Sequence, residues 1–591
     1  MLACAGLLLA ACGDFLEIKP RDIVTEDNFW NEKSDVDQMV LGCYTAMQSD
    51  AFIRRCIVWG ELRSDNIFPG SGVENSENDL YQALLGNLLS TNKYTDWSSF
   101  YYVINKCNTI IRMAPTVSAL DPAYNESQLR ATIAEMTALR SLCYFYLIRA
   151  FNDVPFYREG IQEEEEVQYL PVSSFDEVLG EIISDLEAVK GDAYVHYAQG
   201  SNDGVGKMFN TNVNRITRTA INAMLTDMYL WKGDYDNAIA CADAVLAQKR
   251  ADYDEDYSHQ TGQSSLGTFS TVPKLTDAAP NGLIVPLYSN DINNPSSAAS
   301  AIFGGNGNSF ESIFELSFNW TGSSTDYVQS TALGTLFGNF ITDGNNGYGF
   351  LTVGSTAVAE ITEGKPSSQY FCNAYDVRYY NTIMPTDDNY GEGTIIKGVA
   401  SGFSANSNSG SSNSKLPFSA SIERSSELNR NWIFYRLTDV MLLQAEAYVL
   451  KTTEDGLSNG DAEMLECMKK AFDLVYLVNR RSVVRDFRLS ANSTEASNRG
   501  KLYELIYQER NRELMFEGKR WFDLVRDARQ TGQLTTLRGI PSKSTGSSAT
   551  LSFPTIDYVF WPYYKEELKK NPNIQQKTIY ANEAEESFKS N

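Results

Sequence analysis

Apolar residues recur at spacings of three and four over most of this chain, the pattern of helices that each bury one face. It runs with few interruptions from Asp35 to about Leu246. Ile133, Met136, Leu139, Arg140, Cys143, Tyr144, Leu147 and Ile148 make one such face, and Phe175, Val178, Leu179, Ile182, Ile183 and Leu186 make the next. Between Thr219 and Leu246, Ala223, Leu225, Tyr229, Gly233, Tyr235, Ala238, Ala242 and Leu246 match tetratricopeptide spacing in part. Small residues there let two antiparallel helices approach, aromatic rings fill the wider gaps, and Gly233 turns the chain. Residues 437–448 with 464–478, and 130–155 with 175–189, read as similar pairs. Such pairs cannot bury their faces alone. The pattern therefore predicts a mainly α fold whose helix pairs stack into a right-handed scaffold.

From about Tyr253 to Arg430 the texture changes to Gly, Ser, Asn and aromatics, as in TDGNNGYGF and SGFSANSNSGSSNS. These are loop compositions, with short strands expected at Gly282–Tyr288 and Ser312–Phe318. Loops this long inside a folded chain are usually functional or disordered, and the frequent rings favour ordered, ligand-facing loops. The helical pattern resumes near Trp432 and runs to about Arg529. Three regions result, 12–250, 251–430 and 431–591, preceded by a short leader, 1–11.

That leader, MLACAGLLLAAC, is an apolar stretch ending in small residues before a cysteine, which reads as part of an export signal. Leu9-Ala10-Ala11-Cys12 resembles a bacterial lipobox, whose cysteine is lipidated. Neither Lys nor Arg precedes Cys12, so the basic opening of the signal is expected upstream of Met1. Elsewhere no run of about eighteen apolar residues occurs to span a bilayer. A multiply acylated cysteine anchors without such a span.

Charge and chemistry narrow the function. Fifty basic against 75 acidic residues leave a net charge of −25, which argues against binding phosphate backbones. With two histidines, His196 and His259, a His-rich metal centre is excluded. No Walker loop, GxGxxG, GxSxG, HExxH or CxxC is present. Asp252, Asp254 and Asp256 begin like a calcium loop, but Tyr257 and Gln263 stand where a turn glycine and a bidentate acid are needed. Glu163 to Glu166 reads as a solvated charge run. Cysteines 107, 143 and 241 fall in helical patterns as buried thiols; Cys43 with Cys56 is the nearby pair to test as a disulfide. No cofactor is implied. A carbohydrate-active hydrolase would need an acid pair, and nothing in the chain selects one.

The densest unusual segment is ELIYQERNRELMFEGKRWFDLVR, residues 504–526. On one helix, Glu509–Arg512, Arg510–Glu513 and Glu517–Arg520 are opposite charges three apart, with Trp521, Leu524 and Val525 as the apolar stripe. It reads as a structural helix with a charge network. It also closely resembles the C-terminal signature of the SusD/RagB family of outer-membrane nutrient-binding lipoproteins. FLEIKPRDIVTEDNFWNEKSDVDQMVLGCYTAM, AEMTALRSLCYFYLIRAFNDVPFY, YRLTDVMLLQAEAYV and WPYYKEELKKNPNIQQ resemble further stretches of the family, so the likeness covers nearly the whole chain. Asn152 stands where glycine is common in the family.

The resemblance implies a tetratricopeptide-like scaffold bearing ligand-capturing loops. It implies a cell-surface lipoprotein of the outer membrane that sits on a SusC-like TonB-dependent barrel and binds oligosaccharide, with peptide as a minority ligand class. Asp14 fits the acidic residues that follow the lipidated cysteine in this group. Sugars offer apolar ring faces for stacking and hydroxyls for Asp, Asn and Arg. Trp320, after a strand candidate and before a Gly/Ser loop, is the leading stacking residue, and Tyr288 ends GLIVPLY in a similar position. The resemblance also points to Trp97 and to Asp65 and Asn66; Arg378 is added for hydroxyl or acid recognition. For Trp97 the competing reading is core packing, because apolar partners surround it at helical spacing.

Overall fold

A computed structural model describes residues 29–70, 72–197, 213–256, 274–288, 297–303, 307–318, 332–337, 341–342, 345–346, 349–353, 376–383, 394–398, 400–405, 418–422, 430–483, 488–543 and 550–581. Twelve helices carry the architecture: α1 Lys33–Met47, α2 Asp50–Gly60, α3 Ser98–Leu120, α4 Glu126–Phe151, α5 Phe175–Val189, α6 Arg218–Lys232, α7 Tyr235–Asp256, α8 Val377–Thr382, α9 Leu437–Lys451, α10 Ala462–Ser482, α11 Arg499–Leu514 and α12 Arg520–Thr531.

The helix boundaries follow local chemistry. Asn125 and Gln128 form a reciprocal capping box at the start of α4, while Ser174 and Thr217 cap α5 and α6 by accepting the N–H of Glu177 and Ala220. At the end of α6, Gly233 takes a left-handed φ of 78° and Asp234 then accepts the N–H of Asn237 to open α7. A Cβ on Gly233 would meet nothing within 4 Å, so the demand at this turn is backbone conformation and not space.

The helices pile in sequence order. α1 packs on α3, α3 on α4, α4 on α5, α5 on α6 and α6 on α7; α7 then meets α9, which contacts α10 and α11. The faces read from periodicity are largely the buried ones: Met136, Leu139, Cys143, Tyr144, Leu147 and Ile148 of α4 and the six named residues of α5 all lie in the core, while Ile133 is half-buried. α2 runs into the chain's C-terminal third. A Cβ on Gly60 would stand 2.0 Å from the Gly518 carbonyl oxygen, so only glycine permits this backbone approach.

Strands are short. Trp432–Arg436, rich in aromatic and β-branched side chains, pairs antiparallel with Ser312–Leu316, and α9 follows it directly. The helical pattern expected from Trp432 therefore begins as a strand. Of the expected strand Gly282–Tyr288, Pro286–Leu287 pairs, with Lys274–Leu275. Asp252, Asp254 and Asp256 lie on α7 and not in a loop; Asp252 meets His196 Nε2 at 3.0 Å and Asp254 pairs with Arg250. Glu166 pairs with Arg112 at 2.9 Å on the surface.

Six cysteines among the described residues are free and buried. Cys43 does not pair with Cys56. Its sulfur faces α3 and lies 4.0 Å from that of Cys107. Burial pushes the Cys107 and Cys143 thiols well up, so they remain protonated, apolar-like fillers. Cys372 lies outside the described residues.

Candidate functional site

The charged segment at 504–526 forms two helices, not one. α11 ends at Leu514, the chain turns through Phe516 (φ 68°) and Gly518 (φ 70°), and α12 starts at Arg520. Buried Glu61 of the loop after α2 holds this turn by accepting the N–H groups of Phe516, Lys519 and Arg520. Burial pushes its carboxyl up to about 7 despite those donors.

The charges point inward and find partners far away in sequence. Of the three local pairs expected, Glu509–Arg512 forms, at 2.7 Å. Arg510 instead reaches Asp439 at 2.6 Å and Asp523 at 2.9 Å. Glu513 accepts from Arg436 at 2.7 Å, from Arg378 at 3.0 Å and from Arg481. Glu517 joins Arg436 at 2.8 Å and Lys397 at 2.6 Å, while Arg520 grips Asp65 through two bonds of 2.8 Å. Arg526 pairs with Glu446 at 2.7 Å. Burial alone would raise the Glu513 carboxyl, but Arg481, Arg436 and Arg378 outweigh it and hold it well below the usual range. A glutamate locked as the anion by three guanidinium groups is a structural counter-ion and a poor proton donor. A cavity among Arg378, Lys397, Arg436, Arg481 and Glu513 has about 40 Å³, far below what a sugar ring needs.

The residues named from sequence fall in three places. Asp65, Asn66 and Arg378 converge on α11 and α12. Asp65 lies under Arg520, which outweighs its burial and lowers its carboxyl; Asn66 donates to Asn511 at 2.8 Å; Arg378 bridges Asp376, Glu509 and Glu513. Trp97 is 3% exposed, its ring 5.1 Å from Phe151, 5.5 Å from Tyr101 and 5.6 Å from Tyr563. Tyr288 is buried too, and its hydroxyl accepts the Phe310 N–H at 2.9 Å. All five are packed into the fold, Asp65, Asn66 and Arg378 through polar partners and Trp97 and Tyr288 through burial. Trp320 lies outside the described residues.

The described surface carries open grooves instead. One of about 520 Å³ runs between α1 and α3, lined by Gln38, Leu41, Gly42, Thr45, Tyr102 and Lys106 among others. A second, of about 510 Å³, lies against α5, α6 and α7 with Glu187, Lys190, Tyr229 and Asn237. A third, of about 350 Å³, follows the loop after α4 with Arg112, Tyr157, Arg158 and Glu166. Tyr102, 58% exposed, brings an open aromatic ring to the first. Sequence reasoning passed over it, although the Tyr101-Tyr102 doublet at helical spacing must turn one ring outward.

Comparison with known proteins agrees with this frame. Residues 310–580 match the model of the SusD family, and residues 14–192 match a model described as starch-binding, associating with the outer membrane. The chain belongs to the SusD family. SusD-like protein P38 of Formosa agariphila is 22% identical over 590 residues, spanning 97% of this chain and 96% of the relative. Among solved structures, a laminarin-binding SusD-like protein is 19% identical with a TM-score of 0.59, covering 93% of this chain and 100% of that one. Surface glycan-binding protein A of Bacteroides uniformis is 18% identical with a TM-score of 0.60, covering 92% and 99%. These likenesses establish the helix-dominated fold.

Proposed function

We propose that this protein is a cell-surface lipoprotein that binds oligosaccharide and hands it to a SusC-like TonB-dependent barrel in the outer membrane. The observation that carries the reading is membership of the SusD family together with fold neighbours named for laminarin and surface-glycan binding. The lipobox-like Leu9–Cys12 supports the anchor, and no helix among the described residues is long and apolar enough to cross a membrane. In this reading Trp320 supplies a stacking ring from the loop-rich region. In this reading the protein is a binder and not an enzyme; the signature acids, held as counter-ions, are consistent with that role.

Titration of the purified protein with panels of oligosaccharides and of peptides tests the reading. Affinity for at least one glycan is expected; affinity for peptides alone would move the chain to the peptide-binding class. Trp320→Ala is expected to weaken the bound glycan about tenfold to hundredfold, with base–aromatic stacking as the guide. Cys12→Ser is expected to leave the membrane fraction in cells lacking the barrel; persistent membrane association there rejects a lipid anchor at Cys12.

A further inference from the structure

The trough between α1 and α3 combines features that the rest of the described surface does not bring together. Gln38, Leu41 and Thr45 stand in one outward row on α1, at helical spacing, and Tyr102 and Lys106 form the facing row on α3. Leu41 is 57% exposed and Tyr102 58%, unusual for large apolar side chains standing side by side. Gly42 lines the floor between the two rows: a Cβ there would meet only Lys106 Nζ, at an ordinary 4.0 Å, so a longer side chain would reach into the trough.

Among the described residues Lys106 is the only charged one lining the trough, and its ammonium sits 4.9 Å from the centroid of the Tyr102 ring. No carboxylate lies within ion-pair distance of it among the described residues, although most cations of the fold are paired and the chain carries 25 excess negative charges. An ammonium with three donors and no acid partner, beside an open ring and two uncharged polar side chains, complements a sugar that bears its own negative charge. A neutral sugar answers that cation with hydroxyl oxygens alone, whereas a carboxylate or sulfate answers it with charge as well.

We propose that the α1–α3 trough is a binding subsite for oligosaccharides carrying carboxylate or sulfate groups, with Tyr102 stacking on a sugar face and Lys106 pairing with the anion. This rests on the glycan-binding reading and adds a site and a charge class to it.

The test is calorimetric titration of the full chain with oligogalacturonate and with sulfated carrageenan oligosaccharides, against neutral laminari-oligosaccharides of equal length. The variants are Lys106→Gln, Tyr102→Ala and Gly42→Leu, at one exposed and two half-buried helical positions outside the apolar core, with thermal unfolding as a check that each folds. At least one acidic probe is expected to bind, with affinity that falls as salt is raised. Lys106→Gln is expected to weaken that probe about tenfold without changing any neutral binding, Tyr102→Ala to weaken it tenfold to hundredfold, and Gly42→Leu to abolish it by filling the floor. Failure of every acidic probe to bind, or binding unchanged in all three variants, overturns the proposal. Neutral glycans bound with no acidic binding would overturn it while leaving the glycan reading intact; peptides bound to the exclusion of glycans would remove both. A variant that alters the molecular mass in solution would make the trough a contact between copies and also overturn it.

Discussion

Two parts of this molecule solve the problem of an interior differently. Where α1 to α6 pile up, the interior is mainly apolar and aromatic, with isolated pairs such as Arg149–Asp227: Phe52 stacks on Phe100 at 4.1 Å, Trp59 meets Phe100 and Phe151, and Trp97 closes against Phe151 and Tyr563. Where α9 to α12 meet, the interior is full of ions. Arg436, Arg510 and Arg526 each have side chains 2% exposed, and each is held by two acids or more. The lesson is that burial of charge is tolerated when every group is answered, and that the answer must come from several elements at once. The apolar part depends on shape, which many residues share. The ionic part depends on a few named pairs, which makes it both more fragile and more specific to this fold.

The sharpest break in that comparison is removal of one acid from the ionic interior. Glu513→Leu leaves Arg378, Arg436 and Arg481 short of their shared anion in a dry site, and about 3–5 kcal/mol of stability is expected to be lost. Urea unfolding measures it; a loss under 1 kcal/mol would mean that the network relaxes freely. The matching cut in the apolar part, Leu139→Ala on α4, removes packing from a fully buried site and is expected to cost about 3 kcal/mol. Its cost should not vary with pH, whereas that of the ionic variant should shrink in acid.

The Asp439 pair gives that contrast a direction. Burial raises its carboxyl, but Lys519 and Arg510 overcome this and hold it at about 2. Its folded value is below its unfolded one, so its contribution is present above about pH 4 and is lost as pH falls toward 2. From that displacement the contribution is about 2 kcal/mol. The stability gap between wild type and Asp439→Asn is expected to close over that window; a gap constant from pH 5 to pH 2 would show that the pair does not act through ionisation. The smallest effect belongs to the helix turn. Gly233→Ala meets no neighbour, so it should cost the left-handed penalty alone, about 1–2 kcal/mol in thermal or urea unfolding.

These contrasts also explain how far the sequence could be read. Faces such as Phe175 to Leu186 were legible because helical spacing is a local property, and the α6–α7 turn because Gly233 and Asp234 announce it. The turn inside the signature was not legible. The periodic charges run straight through Phe516 and Gly518, whose positive φ is imposed by Glu61 from another part of the chain. Glu509–Arg512 forms as spacing predicts, but the other two expected ion pairs were misassigned for a related reason. Spacing rules see neighbours three apart, whereas Arg510 and Glu513 take partners from α9, α10, α12 and the strand before α9. Asp65, Asn66 and Arg378 are polar, and polar residues read as surface unless the distant partners that allow burial are known. Trp97 carried its own warning in the apolar spacing around it, and burial among rings is where the fold places it.

In the proposed function this chain keeps its signature charges for the fold and presents other residues to a glycan that it leaves unaltered. The most direct test is to incubate the purified protein with an oligosaccharide it captures, measure binding by calorimetry, and size the recovered sugar by mass spectrometry. Saturable binding is expected, with the oligosaccharide recovered at its full length. Shortened products that disappear when an acid pair is replaced would contradict it.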